Sequence, residues 1–377
     1  MLRDAALLQL SLLQQALQSG FDMVDATPFN FQFRGARPQL IDTGSFRPRP
    51  AHGIWEGYRQ FCEQFLAPLL LQSWKGVDFQ PWLRGRMGGI PLRQLAGLLN
   101  WRDLLFRRGA FTQIWLHSRV AAVMQRRSAA ETASELSTQM IQNNLRGLQR
   151  LLQSLTWNAV DSTWQNYYAT AEHATAHEAE KSQFVRTACI RFQPALTWDL
   201  GCNQGRFSRI AAEFGRVLAL DADHAVIERL YCSLAAEPAD SLPRQRITPL
   251  VCNLADPSPA QGWDLQERQS LQSRSQPRLV LCLALIHHLV IGCGVLLEDV
   301  IGWLASLGAP VVLEWVERTD AVIGSMLRQR RDVFVDYTPE RLRSALARHF
   351  QTVTEQRLSG DTRTLLLLLP RTAGDKA

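Results

Sequence analysis

The chain has 377 residues, 46% of them hydrophobic, with a net charge of +6 and a pI near 9.1. Such a length holds about two domains, each able to bury its own core. Seven scattered cysteines with no C-x-x-C pair exclude a disulfide framework and a structural zinc site. No apolar run reaches membrane-spanning length, and Asp4, Gln9, Gln14 and Gln15 spoil the first residues as a signal sequence. A cytoplasmic protein is expected. The positive charge is almost all arginine, the lysines being Lys75, Lys181 and Lys376, and it is spread over the whole chain. Its denser spots, at Arg107 and Arg108, Arg126 and Arg127, and Arg328 to Arg331, read as solvated faces, while an RNA partner remains compatible.

In chain order, Leu7, Leu8, Leu10, Leu12, Leu13 and Leu17 predict an amphipathic helix stopped by Gly20. Asp25, Asn30 five residues later and Asp42 twelve beyond that follow, set among short strands. This layout resembles the catalytic loop and metal-binding aspartate of a kinase-like large lobe, with a core helix over about 55–72. The pattern departs from that family at Val24, which stands where an arginine usually precedes the loop aspartate, and no glycine-rich cover or phosphate-binding lysine can precede residue 25. Read without the resemblance, the same stretch is a hairpin, Phe29 to Phe33 turning at Gly35 and returning from Gln39 to Thr43. Either way the chain reads as starting inside a domain, and an upstream segment is expected.

Residues 82–157 are rich in Arg, Leu, Gln and Ala, and from Arg119 to Leu155 the apolar spacing suits one or two long helices without a strict heptad. An α-rich amino-terminal domain over 1–156 is therefore expected, followed by a second domain over 157–377. Trp164, Tyr167 and Tyr168 precede a helix expected over about 177–191, which contains Glu180, Lys181 and Phe184.

The most informative stretch is Thr197-Trp-Asp-Leu-Gly-Cys-Asn-Gln-Gly-Arg-Phe-Ser208, then Val217-Leu-Ala-Leu-Asp221. It reads as strand, glycine turn, helix, strand and acidic stop, the plan by which a doubly wound α/β domain holds a nucleoside. Gly201 and Gly205 permit a left-handed turn against which a ligand can lie, and Asp221 falls where a carboxylate accepts hydrogen bonds from a ribose diol. A dinucleotide fingerprint fails, because Asn203 and Arg206 occupy two of its glycine positions. The spacing Asp-x-Gly-x-x-x-Gly-x-x-Ser instead resembles the first motif of class I S-adenosylmethionine-dependent methyltransferases. Further elements follow in that family's order: a helix over 224–236, strands over 247–253, 279–285 and 311–315, a helix capped by Thr338, and a terminal hairpin over 351–357 and 362–369. The polar stretch 257–277 is expected to be mobile or ordered by substrate.

The resemblance covers about residues 160–371. It implies a doubly wound, mostly parallel, seven-stranded α/β sheet of Rossmann-like kind, with S-adenosyl-L-methionine as cofactor. By position, Asp199, Gly201 and Gly205 border the methionine moiety, Asp221 the ribose and Asn253 the adenine, with Asp256 as a substitute for Asn253. Cys202, Asn203 and Leu283 complete the expected cofactor-binding set. For catalysis the candidates are His287, Glu314 and Tyr337, near the carboxyl ends of the fourth and fifth strands and in the segment after the fifth; His288 and Asp336 lie close by. The acceptor is a small molecule or RNA. A non-catalytic cofactor- or partner-binding relative is the alternative, and a phosphotransferase remnant using Asp25, Asn30 and Asp42 is a further one.

Overall fold

The computed structural model describes residues 1–49, 55–100, 103, 138–157, 174–328, 332–360 and 362–371. The chain divides into two units, Met1–Phe33 with Pro38–Ala159, and Arg34–Arg37 with Val160–Ala377.

In the first unit, α1 (Leu2–Gln18) buries Ala6, Leu10, Leu13 and Leu17, which recur every three or four residues along one face. Ala5 and Ala6 carry that stripe a turn earlier than the leucines alone suggest. The helix ends at left-handed Gly20 (φ 78°), a backbone state that a residue with a Cβ resists. Strands β1 (Phe21–Met23) and β4 (Phe46–Pro48) pair antiparallel. A second two-stranded ribbon joins β2 (Phe31–Arg34) to β3 (Arg37–Leu40), and its turn, Arg34–Arg37, falls in the second unit. The helix expected over 55–72 is present in three pieces: Tyr58–Phe61, a wider π turn over Cys62–Leu66, and α2 (Ala67–Lys75). Phe61, Phe65, Leu66 and Leu70 bury its inner face. Helix α3 (Thr138–Ser154) adds Ile141, Leu145, Leu148 and Leu152 to the same core. The preceding part of the expected helical stretch, and Trp164, Tyr167 and Tyr168, lie outside the described residues.

The second unit begins with α4 (Ala174–Phe192), β5 (Leu196–Leu200), α5 (Arg206–Ala212), β6 (Arg216–Asp221), α6 (His224–Ala236) and β7 (Ile247–Val251). It continues with β8 (Leu279–Cys282), α7 (Leu297–Ser306), β9 (Val311–Val316), α8 (Ala321–Arg328), α9 (Pro339–His349), β10 (Phe350–Arg357) and β11 (Arg363–Pro370). Seven strands form one sheet in the order β10-β11-β9-β8-β5-β6-β7. Pairing is parallel from β9 to β7 and antiparallel at the closing hairpin. This is the mostly parallel, seven-stranded sheet expected from the sequence. Strands β8 and β9 are buried at every residue, which is why they read as uninterrupted apolar runs. The fourth strand stops at Cys282, three residues earlier than expected, and Ala284 turns the chain with a left-handed backbone (φ 48°).

The capping chemistry behaves as the residue types dictate. Asp223 accepts from the Ala225 and Val226 amides at the start of α6, and Thr338 accepts from the Arg341 amide ahead of Pro339 in α9. From β5 the chain winds outward through β6 to β7, then crosses back to β8 and β9 on the other side of β5. The carboxyl ends of β5 and β8 therefore flank the place where strand order reverses, which is where open α/β sheets bind ligands.

Candidate cofactor and acceptor crevice

Strand register brings the sequence candidates together. Leu200 pairs with Leu220 on one side and with Cys282 on the other, Cys282 pairs with Leu313, and Asp221 pairs with Val251. One residue further along each strand, Val251, Asp221, Gly201, Leu283 and Glu314 stand in a row across five adjacent strands. Strands about 4.8 Å apart put Glu314 roughly 10 Å from Gly201 and Asp221 about 5 Å from it on the opposite side. Residues more than 110 positions apart in sequence thus share the rim of one crevice.

The turn after β5 is left-handed at Gly201 (φ 71°), Asn203 (φ 46°) and Gly205 (φ 76°). Gly201 and Cys202 both donate to the Leu220 carbonyl, at 2.8 and 3.0 Å, so the turn folds back onto β6. The Asp221 carboxylate then pins it: one oxygen accepts from the Asn203 amide and the other from the Asp223 amide, each at 2.9 Å. Burial pushes the Asp221 carboxyl up, opposed by those two amides. Each carboxylate oxygen has a further lone pair, so both remain able to accept from a diol. Asn203 keeps a buried side-chain oxygen with no partner among the described residues. Asn253 is exposed, and its side-chain oxygen accepts from the Ala255 amide at 3.0 Å, forming the turn that follows β7. Cys202 is buried beneath the turn. A cradle of left-handed backbone with a carboxylate on the adjacent strand fits a nucleoside-bearing sulfonium compound, and Gly201, Asn203, Gly205, Asp221 and Leu283 would hold it.

Asp199 has a different position from the other candidates. It is buried inside β5, and the Ser208 hydroxyl of α5 donates to it at 2.5 Å. This hydrogen bond ties the strand to the helix across the glycine turn, so the serine that ends the first motif sets the shape of the turn. Burial pushes the Asp199 carboxyl up to about 7, with the Ser208 hydrogen bond opposing and the nearby Asp221 charge adding. Because the folded value lies above the unfolded one, the stabilisation is complete in acid and is lost as pH rises through about 7. Between about pH 4 and 7 the unfolded chain ionises while the folded one holds its proton, a difference of about 1.4 kcal/mol per pH unit and about 4 kcal/mol over the window. Asp199→Asn should remove that slope and unfold at higher denaturant than the parent at pH 8. Urea unfolding of both proteins from pH 4.5 to 8 checks this; parallel curves would disprove it.

On the acceptor side, Glu314 is fully buried in β9, and its Oε1 meets Lys181 Nζ at 2.7 Å and Arg363 Nη1 at 3.2 Å. Arg363 also donates to both oxygens of Asp320, at 2.9 and 3.3 Å. His287 is fully buried, with neither ring nitrogen partnered among the described residues. Burial, His288, Arg363 and Lys181 all drive its pKa far down, so the imidazole is neutral; His288 falls to about 4 through burial and Arg363. A neutral, strongly depressed imidazole can donate or accept a hydrogen bond but holds a proton poorly.

Tyr337 departs from the sequence expectation. Its hydroxyl donates to the Val316 carbonyl at 2.9 Å and its ring stacks on Trp315 at 4.2 Å, with 1% of the residue exposed. The sequence placed it in the segment after the fifth strand but gave no sign that the backbone end of β9 would take up its hydroxyl. Lys181, Arg363, Asp320 and Ser208 are the site residues that sequence reading left without a role. The rarity of lysine in this arginine-rich chain was the available signal for Lys181.

Helix α4 is fastened along this crevice by Glu178 to Arg206, Lys181 to Glu314, and His177 and Glu180 to Ser359. In the first unit, Asn30 donates to Asp42 at 3.0 Å, Ile41 donates to the Asn30 carbonyl at 2.9 Å, and the other Asp42 oxygen accepts from the Gly44 amide. Asp25 is exposed. The Asp-Asn-Asp spacing thus has a local explanation: Asn30 and Asp42 close the open end of the β2–β3 hairpin, as the bare hairpin reading expects. Among the described residues, no group of three or more His, Cys, Asp and Glu is arranged to hold a metal ion, and no helix is long and apolar enough to cross a membrane.

The second unit has the doubly wound sheet and crevice of the class I methyltransferase fold. Over 373 residues the chain is 33% identical to Nodulation protein NoeA of Rhizobium meliloti (strain 1021), covering 97% of this chain and 76% of that protein, and it belongs to the NoeA family. No family model matches it. Among solved structures it is similar to the N-methyltransferase NodS of Bradyrhizobium japonicum WM9, at 12% identity over 52% of this chain and 97% of that one, with a TM-score of 0.37. It is also similar to the magnesium protoporphyrin IX methyltransferase ChlM of Synechocystis PCC 6803, at 17% identity over 56% of this chain and 90% of that one, with a TM-score of 0.40.

Proposed function

We propose that the chain is a cytoplasmic S-adenosyl-L-methionine-dependent methyltransferase. The observation that carries the reading is the row of Asp221, Gly201, Leu283 and Glu314 at the point where strand order reverses, next to a left-handed glycine turn. When bound, the cofactor supplies an electrophilic methyl group on a sulfonium. The chain's own residues bind, align and exclude water. Asp221 takes the ribose, the Gly201–Gly205 turn borders the methionine moiety, and Asn253 or its neighbour Asp256 meets the adenine. In-line displacement depends mainly on alignment, so the buried wall formed by Leu283, His287 and Glu314 does most of its work by orienting the acceptor and keeping the site dry.

Calorimetric titration of the full chain with S-adenosylhomocysteine tests the cofactor, and labelled-methyl transfer into fractionated cell extract reports whether the acceptor is a small molecule or RNA. Absence of binding by the folded chain would overturn the reading. Residues 157–377 expressed alone should bind S-adenosylhomocysteine within about tenfold, or roughly 1.4 kcal/mol, of the full chain; a folded fragment that fails to bind would move the boundary.

The hairpin of the first unit carries no phosphoryl-transfer role in this reading. Asp42→Ala should leave S-adenosylhomocysteine affinity unchanged, and the full chain should show no ATP hydrolysis in a phosphate-release assay. Turnover that is lost in Asp42→Ala would reinstate the phosphotransferase alternative.

A further inference from the structure

The crevice holds two buried polar groups whose hydrogen-bonding capacity is unmet. Glu314 Oε2 and both ring nitrogens of His287 have no partner among the described residues, although both residues are fully buried. Most buried polar atoms are paired, so each of these has capacity for a partner beyond those the described residues supply. Glu314 stands within β9, one residue past the Cys282 to Leu313 pair and two before the strand ends at Val316, and His287 lies in the segment after β8, just before the π turn His288–Gly292.

The charges around them are balanced. Lys181 and Arg363 face Glu314, and Arg363 also holds Asp320, giving two cations and two anions. Lys181 and Arg363 both contact Oε1, which leaves Oε2 as the unpaired oxygen of this carboxylate. A carboxylate, a phosphate or an ammonium group added there would leave this balanced set of two cations and two anions with a net charge in a buried site, where solvent does not screen it. A neutral group with a hydrogen to donate to Glu314 Oε2, and with a second hydrogen-bonding capacity for the uncharged His287 ring, satisfies both orphans.

We infer that the acceptor presents an uncharged hydroxyl to Glu314 Oε2 and His287, and that Lys181 is a positioning residue which fixes Glu314 and the local charge balance. This rests on the methyltransferase reading above and deepens it by naming the acceptor group.

Three probes with one ring and three charge states test it: cyclohexanol, cyclohexylammonium and cyclohexanecarboxylate, titrated by ligand-observed NMR into the full chain saturated with S-adenosylhomocysteine. Cyclohexanol should bind at least fivefold more tightly than either ion. Glu314→Gln should swing the preference toward cyclohexanecarboxylate, and Lys181→Met toward cyclohexylammonium, because the two substitutions unbalance the site in opposite senses. Lys181→Arg should restore the alcohol preference, and all three variants should keep S-adenosylhomocysteine affinity within about threefold, which shows that they fold. Swings of opposite sign are not produced by simple loosening of the structure. Preference for either ion by the parent protein, binding of none of the probes, or an alcohol preference that survives Glu314→Gln would overturn the hydroxyl subsite. An alcohol preference kept in Lys181→Met would overturn the role of Lys181. Failure of the parent to bind S-adenosylhomocysteine would instead overturn the cofactor reading.

Discussion

Gly201→Val should abolish S-adenosylhomocysteine binding while the sheet still folds. Gly201 has a φ of 71°, where a β-branched residue is a true outlier and costs of order 1–3 kcal/mol in backbone strain alone. A Cβ built there would lie 3.2 Å from the Leu285 side chain, a contact that a flexible leucine can relieve, so the fold survives at reduced stability. The added methyls occupy the surface against which a ligand must lie, and the Gly201 and Cys202 amides that both reach the Leu220 carbonyl shift with them. Affinity should fall by at least about a hundredfold, roughly 2.7 kcal/mol. Gly201→Ala, with a single methyl, should show a smaller loss of the same kind. Calorimetry on variants with a parent-like circular dichroism spectrum is the measurement; undiminished binding by a folded Gly201→Val protein would mean that the turn is not the cofactor site.

Asp221→Ala should weaken S-adenosylhomocysteine binding by tenfold or more and also lower the melting temperature. Loss of a charge-assisted hydrogen bond to a ribose hydroxyl is worth roughly 1.5–3 kcal/mol. The same carboxylate accepts from the Asn203 and Asp223 amides, so its removal leaves both without their partner and loosens the turn. Asp221→Asn separates the two roles. Its one remaining carbonyl oxygen can serve a single amide, so it should recover part of the stability but little of the affinity. Affinity that is unchanged in Asp221→Ala would remove Asp221 from the ribose site, whatever happens to stability.

These two residues were legible in the sequence because their chemistry is local. A glycine that must adopt positive φ, and an acidic residue at the end of the following strand, announce a β-turn-α-β unit through short-range sterics and spacing. The apolar runs of β8 and β9 were equally plain, since strands buried on both faces leave no room for alternation. Thr338 followed by Pro339 marked a helix start for the same reason: the cap acts within one turn. The Asp25, Asn30 and Asp42 spacing is ambiguous by contrast, because a hairpin end and a kinase catalytic loop place the same residue types at the same intervals, and in either arrangement Asn30 and Asp42 come together, as they do here.

By itself the sequence determined the order of strands in the second unit, the glycine turn and the acidic residue beside it, all of which follow from propensities and contacts within about twenty residues. Tertiary structure alone decided that Glu314 lies in register with Gly201 and Leu283, and that Lys181 and Arg363, 133 and 49 positions from it in either direction, hold one of its oxygens. It likewise decided that Tyr337 gives its hydroxyl to the Val316 carbonyl. The physical reason is that a buried charge or hydroxyl must find its partner wherever packing brings one within about 3 Å. Sequence distance carries no information about which partner that is.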